Sequence, residues 1–551
     1  MAGIRQSEFG EPAPEYSNLP NGGVLFSNSN FQEYTMGRMA LEYDFLDTKT
    51  HSFQLYAGGE YRVNNYRGDN SIGWGYLHDR GRIIAPHENI GEELAGTPYL
   101  VIRDFTNKSA SYFGVATYSL MDKYILNFNV RYDGSNLFGS NPKYRWEPAW
   151  SVSTRWNLID ENFMEGSIFN NLALRGSYGL QGSTNTQSTP QIVASFLNPT
   201  YWSELNLLQI SSPANPDLRW EKTFSTNIGL DFALFRNRIQ GAVDVYSRKS
   251  EDLITNTRIS EVNGFSYLPI NFADVTNKGV EFGLTTRNLY DSSGDGFNWS
   301  TTVNFAYNKN EVTKVNLDPV VARMLSGFPY KPDAALVGRP LNALYSVDFS
   351  HVDENGTARF NLANGELTEG TRDLQFEIED LVYNGPIEAP YQGGISNLLE
   401  YSNFKLSALF TYGFGNFFRR GEILESWMYS PDQNLSKELV NAWREPGDEN
   451  FTNIPHIRNE TGGNNHKSYW NKSDIRVVKG DYLRLSNISL QYHLPGTALD
   501  LFRLSRGFVQ LQGNNLLLFA DDKLDGYDPE TFPYQSLPLP TSYMLTLNVT
   551  F

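Results

Sequence analysis

The sequence contains no cysteine. Disulfides, thiolate metal sites and cysteine nucleophiles are therefore excluded together, while the redox compartment stays open. It also has no run of about eighteen apolar residues, which excludes a helical membrane span. Its first residues, Met1 to Arg5, carry no apolar signal core. A surface protein with this start is expected to have lost its signal or to begin partway through a longer chain. Basic residues are outnumbered, 45 Lys and Arg against 62 Asp and Glu, giving a net charge of −17. There is no concentrated basic stripe, so nucleic acid is excluded as a partner.

Catalytic signatures are missing as well. The seven histidines (His51, His78, His87, His351, His456, His466 and His493) lie far apart and form no HExxH. No GxSxG elbow or phosphate-cradling glycine loop occurs. Acidic pairs are plentiful, but without geometry any two carboxylates could be nominated as a glycosidase pair, so none is singled out. The chain is not read as an enzyme, and no cofactor is expected.

What is present is alternation. Tyr543, Leu545, Leu547, Val549 and Phe551 are apolar at every second position, with small or polar residues between them apart from Met544. A period of two describes a strand with one apolar and one polar face, and its length suits a tilted membrane crossing. The same pattern recurs along the chain. Met39 to Phe45 turns at Asp47-Thr48 into Phe53 to Val63, and Tyr112 to Leu120 turns at Asp122 into Tyr124 to Tyr132. Further strands are expected at 150–158, 172–180, 228–234, 239–245, 280–284 and 299–307. Residues 393–402 give a weaker signal, followed by 404–414, 482–494 and 505–519. Between Leu485 and Ile488 the apolar phase slips by one, which predicts a bulge. Residues 1–34 read as loop. Residues 311–392 show little sustained alternation, although Val337 to Phe349 admits an additional strand.

The connections alternate in length from Asp47 onward. Short ones fall near 47–49, 122, 159–169, 236–237, 290–296, 402–403 and 495–504. Long ones fall near 64–109, 135–146, 181–221, 251–275, 311–392, 416–481 and 520–539. A soluble sandwich has no reason to collect its long loops at one end, whereas an outer-membrane barrel does. The expected fold is an all-β transmembrane antiparallel barrel with long extracellular loops. Fifteen strands follow from this order, the first and last running in the same direction. An odd set of that kind cannot close as a purely antiparallel barrel, so further strands are expected from a companion chain or an upstream segment. Residues 1–34 are then an extracellular segment at the break, and 35–551 the C-terminal part of the barrel.

Several stretches, in order, resemble the SusC/RagA family of TonB-dependent outer-membrane transporters. They include Arg131-Tyr-Asp-Gly-Ser-Asn-Leu-Phe-Gly139, Asn215-Pro-Asp-Leu-Arg-Trp-Glu-Lys222, Asn277-Lys-Gly-Val-Glu-Phe282, Gly393-Gly-Ile-Ser-Asn397, Asp481-Tyr-Leu-Arg-Leu-Ser-Asn-Ile-Ser-Leu490 and Gly526-Tyr-Asp-Pro-Glu530. The resemblance implies a 22-stranded barrel filled by an N-terminal plug and capped by a SusD-like surface lipoprotein, importing oligosaccharides or oligopeptides in response to TonB. No TonB box or plug is present in this sequence, so those parts are expected elsewhere. Two other readings stay open at this point. One is a plug-free porin-like channel, the other a secreted β-rich glycan-binding protein.

Aromatics in long connections are the candidate contacts for solute or lid: Tyr201, Trp202, Trp427, Tyr429, Trp443, Tyr469 and Trp470. Packing of the loops on one another is the competing explanation. A short helix is expected over Asn434 to Arg444, with Trp443, Leu435, Leu439 and Val440 on one face. Glu281, Asn304, Gln510 and Gln512 fall between strand hydrophobes and are expected to face the lumen. Asp521, Asp522, Asp525 and Asp528 are the one weak calcium candidate, with a solvated acidic loop as the simpler reading. Asp353 to Gly356 reads as a polar turn.

Overall fold

Alternating sequences need cross-strand partners, and here each strand finds them in its sequence neighbours. In a computed structural model, residues 23–551 are described except for 79–80, 85–99, 138–140, 184–188, 198–206, 292–295, 316–318, 327–333, 371–375, 425–433, 458–464 and 532–536. Among the described residues fifteen strands follow one another in strict chain order in one antiparallel sheet, and a two-residue strand, Ile83–Ile84, adds to the second of them. They are β1 (Gly23–Asp47), β2 (His51–Leu77), β3 (Leu100–Leu120), β4 (Tyr124–Ser135), β5 (Trp146–Asn157), β6 (Phe169–Ser183), β7 (Glu221–Leu234) and β8 (Ile239–Arg258). The sheet continues with β9 (Tyr267–Leu289), β10 (Phe297–Lys314), β11 (Tyr391–Tyr401), β12 (Phe404–Phe414), β13 (Tyr482–His493), β14 (Arg506–Ala520) and β15 (Ser542–Thr550). Among the described residues β1 and β15 pair on one side only, so the wall is open along two edges.

One face of the wall is apolar and uncovered. Leu41 is 71 % exposed, Tyr543 75 % and Leu545 74 %, and Leu126, Phe128, Ile228, Val245, Leu490 and Leu511 are exposed with them. Among the described residues no second sheet packs on this face, as a water-soluble sandwich would require. The opposite face carries serine, asparagine, glutamine and charged residues.

Tight turns at one end need left-handed backbone, which matches the twist of the strands they join. Met121 and Asp122 both have φ 55°, Ser402 has φ 51°, and Phe235, Arg236 and Asn237 have φ 54°, 59° and 61°. At Ser486 the pairing slips against both neighbouring strands, which places the expected bulge. The extra residue turns its hydroxyl to Thr411 Oγ1 at 2.6 Å.

The strands run further than their apolar stretches suggested. β1 starts at Gly23, twelve residues before the expected boundary near 35, and β2 spans 27 residues. The described residues of 64–109 and 251–275, expected as loops, are largely strand. A membrane crossing uses about 9–11 residues, so the excess projects as polar hairpin. Water wets both faces there, and polar pairs such as Gln32 Nε2–Asn64 Oδ1 (2.9 Å) and Tyr66 Oη–Asn30 Oδ1 (2.8 Å) replace apolar alternation.

Two long connections, between β10 and β11 and between β12 and β13, fold into one cap. Val347, Ala358, Phe360, Leu424, Leu439 and Trp470 form its core. Ala343–Val347 pairs with Leu381–Pro386 rather than joining the wall, so the strand parity is preserved. A second cluster, Leu344, Ile387, Phe418, Val478 and Leu524, ties in the connection before β15.

Candidate functional site

The polar face is built by register. Asp244 of β8 stands beside Glu281 of β9, then Ala306, Gln392 and Gly413 on the next three strands. One step along, Ala242, Gly283, Asn304, Gly394 and Thr411 line up in the same way. Small residues thin the wall here and leave a cleft of about 570 Å³ rimmed by Asp244, Glu281, Asn304, Gln392, Tyr482 and Glu530. Glu281 and Asn304 are both exposed on this polar face. Gln510 and Gln512 form an amide chain on the same face. Gln510 donates to Gln512 (3.2 Å), which donates to Asn514 (3.0 Å).

Sequence reasoning passed over a charge ladder on this face. Arg175 Nη2 donates to Asp231 Oδ1 (2.9 Å) and Asp244 Oδ2 (3.1 Å), and Arg155 Nη1 to Asp231 Oδ2 (2.8 Å). Gly229 lies between Arg175 and Asp244, in register with both. A Cβ there would come 2.5 Å from Asp244 Oδ1 and 2.8 Å from Arg175 Nη2. Gly229→Ala should therefore push the ends of Arg175 and Asp244 apart and cost about 0.5–1 kcal/mol. A lowered urea midpoint in refolded micelles would register the loss, and an unchanged midpoint would contradict it.

The connection before β15 folds onto the mouth of the cleft. Asp528, 2 % exposed, pairs with Arg484, and its carboxylate also accepts the backbone N–H of Glu530 (3.1 Å) and Leu539 (3.1 Å). Arg484 Nε reaches Glu530 at 2.6 Å. Three of the four aspartates proposed for calcium are accordingly engaged elsewhere. Asp521 accepts from the Lys523 N–H, Asp525 pairs with Lys437 (2.8 Å), and Asp528 faces Arg484. Among the described residues no such metal-ligating group converges.

The cap claims two of the candidate rings. Trp470 is 2 % exposed in the main core and Trp443 5 % exposed. Trp443 lies over left-handed Gly356 (φ +79°), where any Cβ would collide with the indole, and its Nε1 donates to Glu449. A lid or solute contact by Trp443 or Trp470 is corrected to loop packing: neither ring has a free face. Tyr469 is half-buried against Phe360 and Phe376. Tyr201, Trp202, Trp427 and Tyr429 lie outside the described residues. The expected helix over 434–444 is a 3-10 turn, Lys437–Asn441, capped by Ser436. Its Leu435 and Val440 are exposed while Leu439 is buried, so the proposed single apolar face does not form.

Buried charge stiffens the cap. Burial pulls the Arg419 guanidinium down to about 10, and its Nη groups donate to the carbonyls of Leu325 and Tyr345. Burial pushes the Tyr345 phenol up to about 12. Burial works on the Asp353 carboxyl in the same upward sense, but the N–H groups of Thr357 and Asn355 and the Arg359 guanidinium outweigh it. The net value is held below the ordinary 3.8. A depressed acid contributes stability above its unfolded value and loses it as pH falls through the folded one. Proteolysis of the cap should accelerate below about pH 4, and Asp353→Asn should flatten that dependence.

Family comparison decides what these faces are for. Residues 6–367 match the family described as TonB dependent receptor-like, beta-barrel. The chain belongs to the TonB-dependent receptor β-barrel family. TonB-dependent receptor P3 of Formosa agariphila is 30 % identical over 444 residues, covering 76 % of this chain and 42 % of that protein. TonB-dependent receptor SusC of Bacteroides thetaiotaomicron is 28 % identical over 472 residues, 81 % of this chain and 44 % of SusC. The chain spans less than half the length of these curated relatives. The fold matches a solved RagAB peptide transporter with a TM-score of 0.79 at 22 % identity, over 97 % of this chain and 58 % of that one. A receptor wall of this family sits in the Gram-negative outer membrane, with its apolar face in lipid. The family is one of receptors and transporters, not enzymes.

Proposed function

We propose that the chain supplies fifteen staves of a 22-stranded barrel that imports oligosaccharides or oligopeptides when TonB acts on a plug. About seven further strands and the plug come from a companion chain or an upstream segment, and they close the gap between β1 and β15. A SusD-like surface lipoprotein covers the cap, and solute trapped beneath it passes down the polar face. Tyr201, Trp202, Trp427 and Tyr429 are the rings assigned to solute or lid.

The single observation that supports this most is the open wall itself: among the described residues, fifteen strands in chain order, apolar outside, with two unpaired edges. Purifying the native complex through a tag on the cap tests it. A surface lipoprotein and a plug-bearing polypeptide should co-purify in stoichiometric amounts. Recovery of this chain alone, conducting ions freely in a planar bilayer, would point to a porin-like channel instead.

A further inference from the structure

Just beyond the apolar band, on the lipid-facing side, the wall carries a recess of about 440 Å³. Its construction follows one register row. Tyr61 pairs with Ala110, Ala110 with Gly134, and Gly134 with Trp146. Two aromatic walls thus stand on either side of a floor with almost no side chain. The Trp146 ring leans over Gly134, where a Cβ would meet it at 2.8 Å. It is fixed from below by Tyr132, with ring centroids 5.3 Å apart and planes within 8°, and by Tyr112 at 5.9 Å.

The rim on the other side is cationic. Lys108 lies two pairs further from the short-turn end, beside Val63, and Arg145 precedes Trp146; both line the recess and both are exposed. Among the described residues neither sits in an ion pair. The rim belongs to the end that carries the long connections, which in this family faces the outer leaflet. Aromatic walls next to unpaired cations, at the junction of apolar and polar surface, match an amphiphile with a phosphorylated head.

We propose that this recess binds a phosphorylated lipid of the outer leaflet. Its phosphate meets Lys108 and Arg145, and its sugar or upper acyl segment lies between Tyr61 and Trp146. The inference rests on the outer-membrane placement and adds a ligand on the face opposite the import path.

The test uses the receptor purified in detergent and titrated with bis-phosphorylated lipid A, with retained lipid counted by native mass spectrometry. One lipid per wall should be retained by the wild type. Lys108→Glu with Arg145→Glu should reduce retention roughly thirtyfold, from about 1 kcal/mol for each cation near a membrane surface. Both side chains are exposed, and an unchanged heat-modifiable band on gels will show that the variant wall is folded. Fully dephosphorylated lipid A should not be retained, and millimolar inorganic phosphate should not displace the bound lipid. Equal retention by wild type and variant, or equal retention of the dephosphorylated lipid, overturns the site. Displacement by inorganic phosphate would assign the cations to a soluble anion and also overturn it. A wild type that never inserts into the outer membrane defeats the placement itself, whereas normal insertion without lipid defeats only this proposal.

Discussion

Arg484→Ala should release the connection before β15 from the mouth of the cleft. Arg484 and Asp528 have side chains 4 % and 2 % exposed, so removing the guanidinium strands a carboxylate with no cation beside it. The Glu530 and Leu539 amides still donate to that carboxylate, but two neutral donors do not offset a buried charge. A cost of about 3–5 kcal/mol is expected, concentrated in residues 521–541. Hydrogen exchange at the Glu530 and Leu539 amides should accelerate by orders of magnitude while β13 and β14 stay protected. Replacing both partners with apolar residues, Arg484→Met with Asp528→Leu, should recover most of the loss, since the pair is balanced against its own desolvation. If the single variant exchanged like the wild type, the connection would be held by Leu524 packing alone. Were the double variant as loose as the single, the ion pair would be contributing geometry that packing cannot replace.

Lipid and water explain which parts of this architecture were legible in sequence. Where hydrocarbon faces one side of a strand, every second residue must be apolar, and Tyr543 to Phe551 or Tyr124 to Tyr132 announce themselves. The slipped phase at Ser486 was readable for the same reason. Above the membrane both faces are wet, so strand formation leaves no period in the sequence. Asn64 to Asn70 and Thr255 to Arg258 therefore read as loop yet pair as strand. Charge partners were hidden by a different cause. Arg155 and Asp231 are 76 residues apart, and only the turn lengths between them fix their register. The polarity of Glu281 and Asn304 was visible, but the thin wall that forms a cleft beside them depends on Ala306, Gly283 and Gly394 from three strands. Aromatics in the loops were ambiguous in principle, because a ring waiting for a ligand and a ring burying its own loop have the same composition around them.

Trp470→Ala separates those two meanings for the cap. The ring is 2 % exposed, its Nε1 donates to the Asn453 carbonyl at 2.7 Å, and the Arg476 guanidinium sits 4.9 Å from its centroid. Truncation leaves a cavity beside Phe360 and Leu424, removes one hydrogen bond and uncovers Arg476, for a combined cost of about 3–5 kcal/mol. The cap has its own core, distinct from the ladder of the wall, so the loss should stay local. Limited proteolysis should cut within 316–481, while the wall keeps its heat-modifiable migration and outer-membrane fraction. Trp470→Phe should retain most of the packing and lose only the indole donor, about 1 kcal/mol. A ring reserved for solute would behave in the opposite way: alanine would weaken uptake at low solute concentration and leave the protease pattern unchanged. The two outcomes share no observable, so one variant decides between packing and recognition at this position.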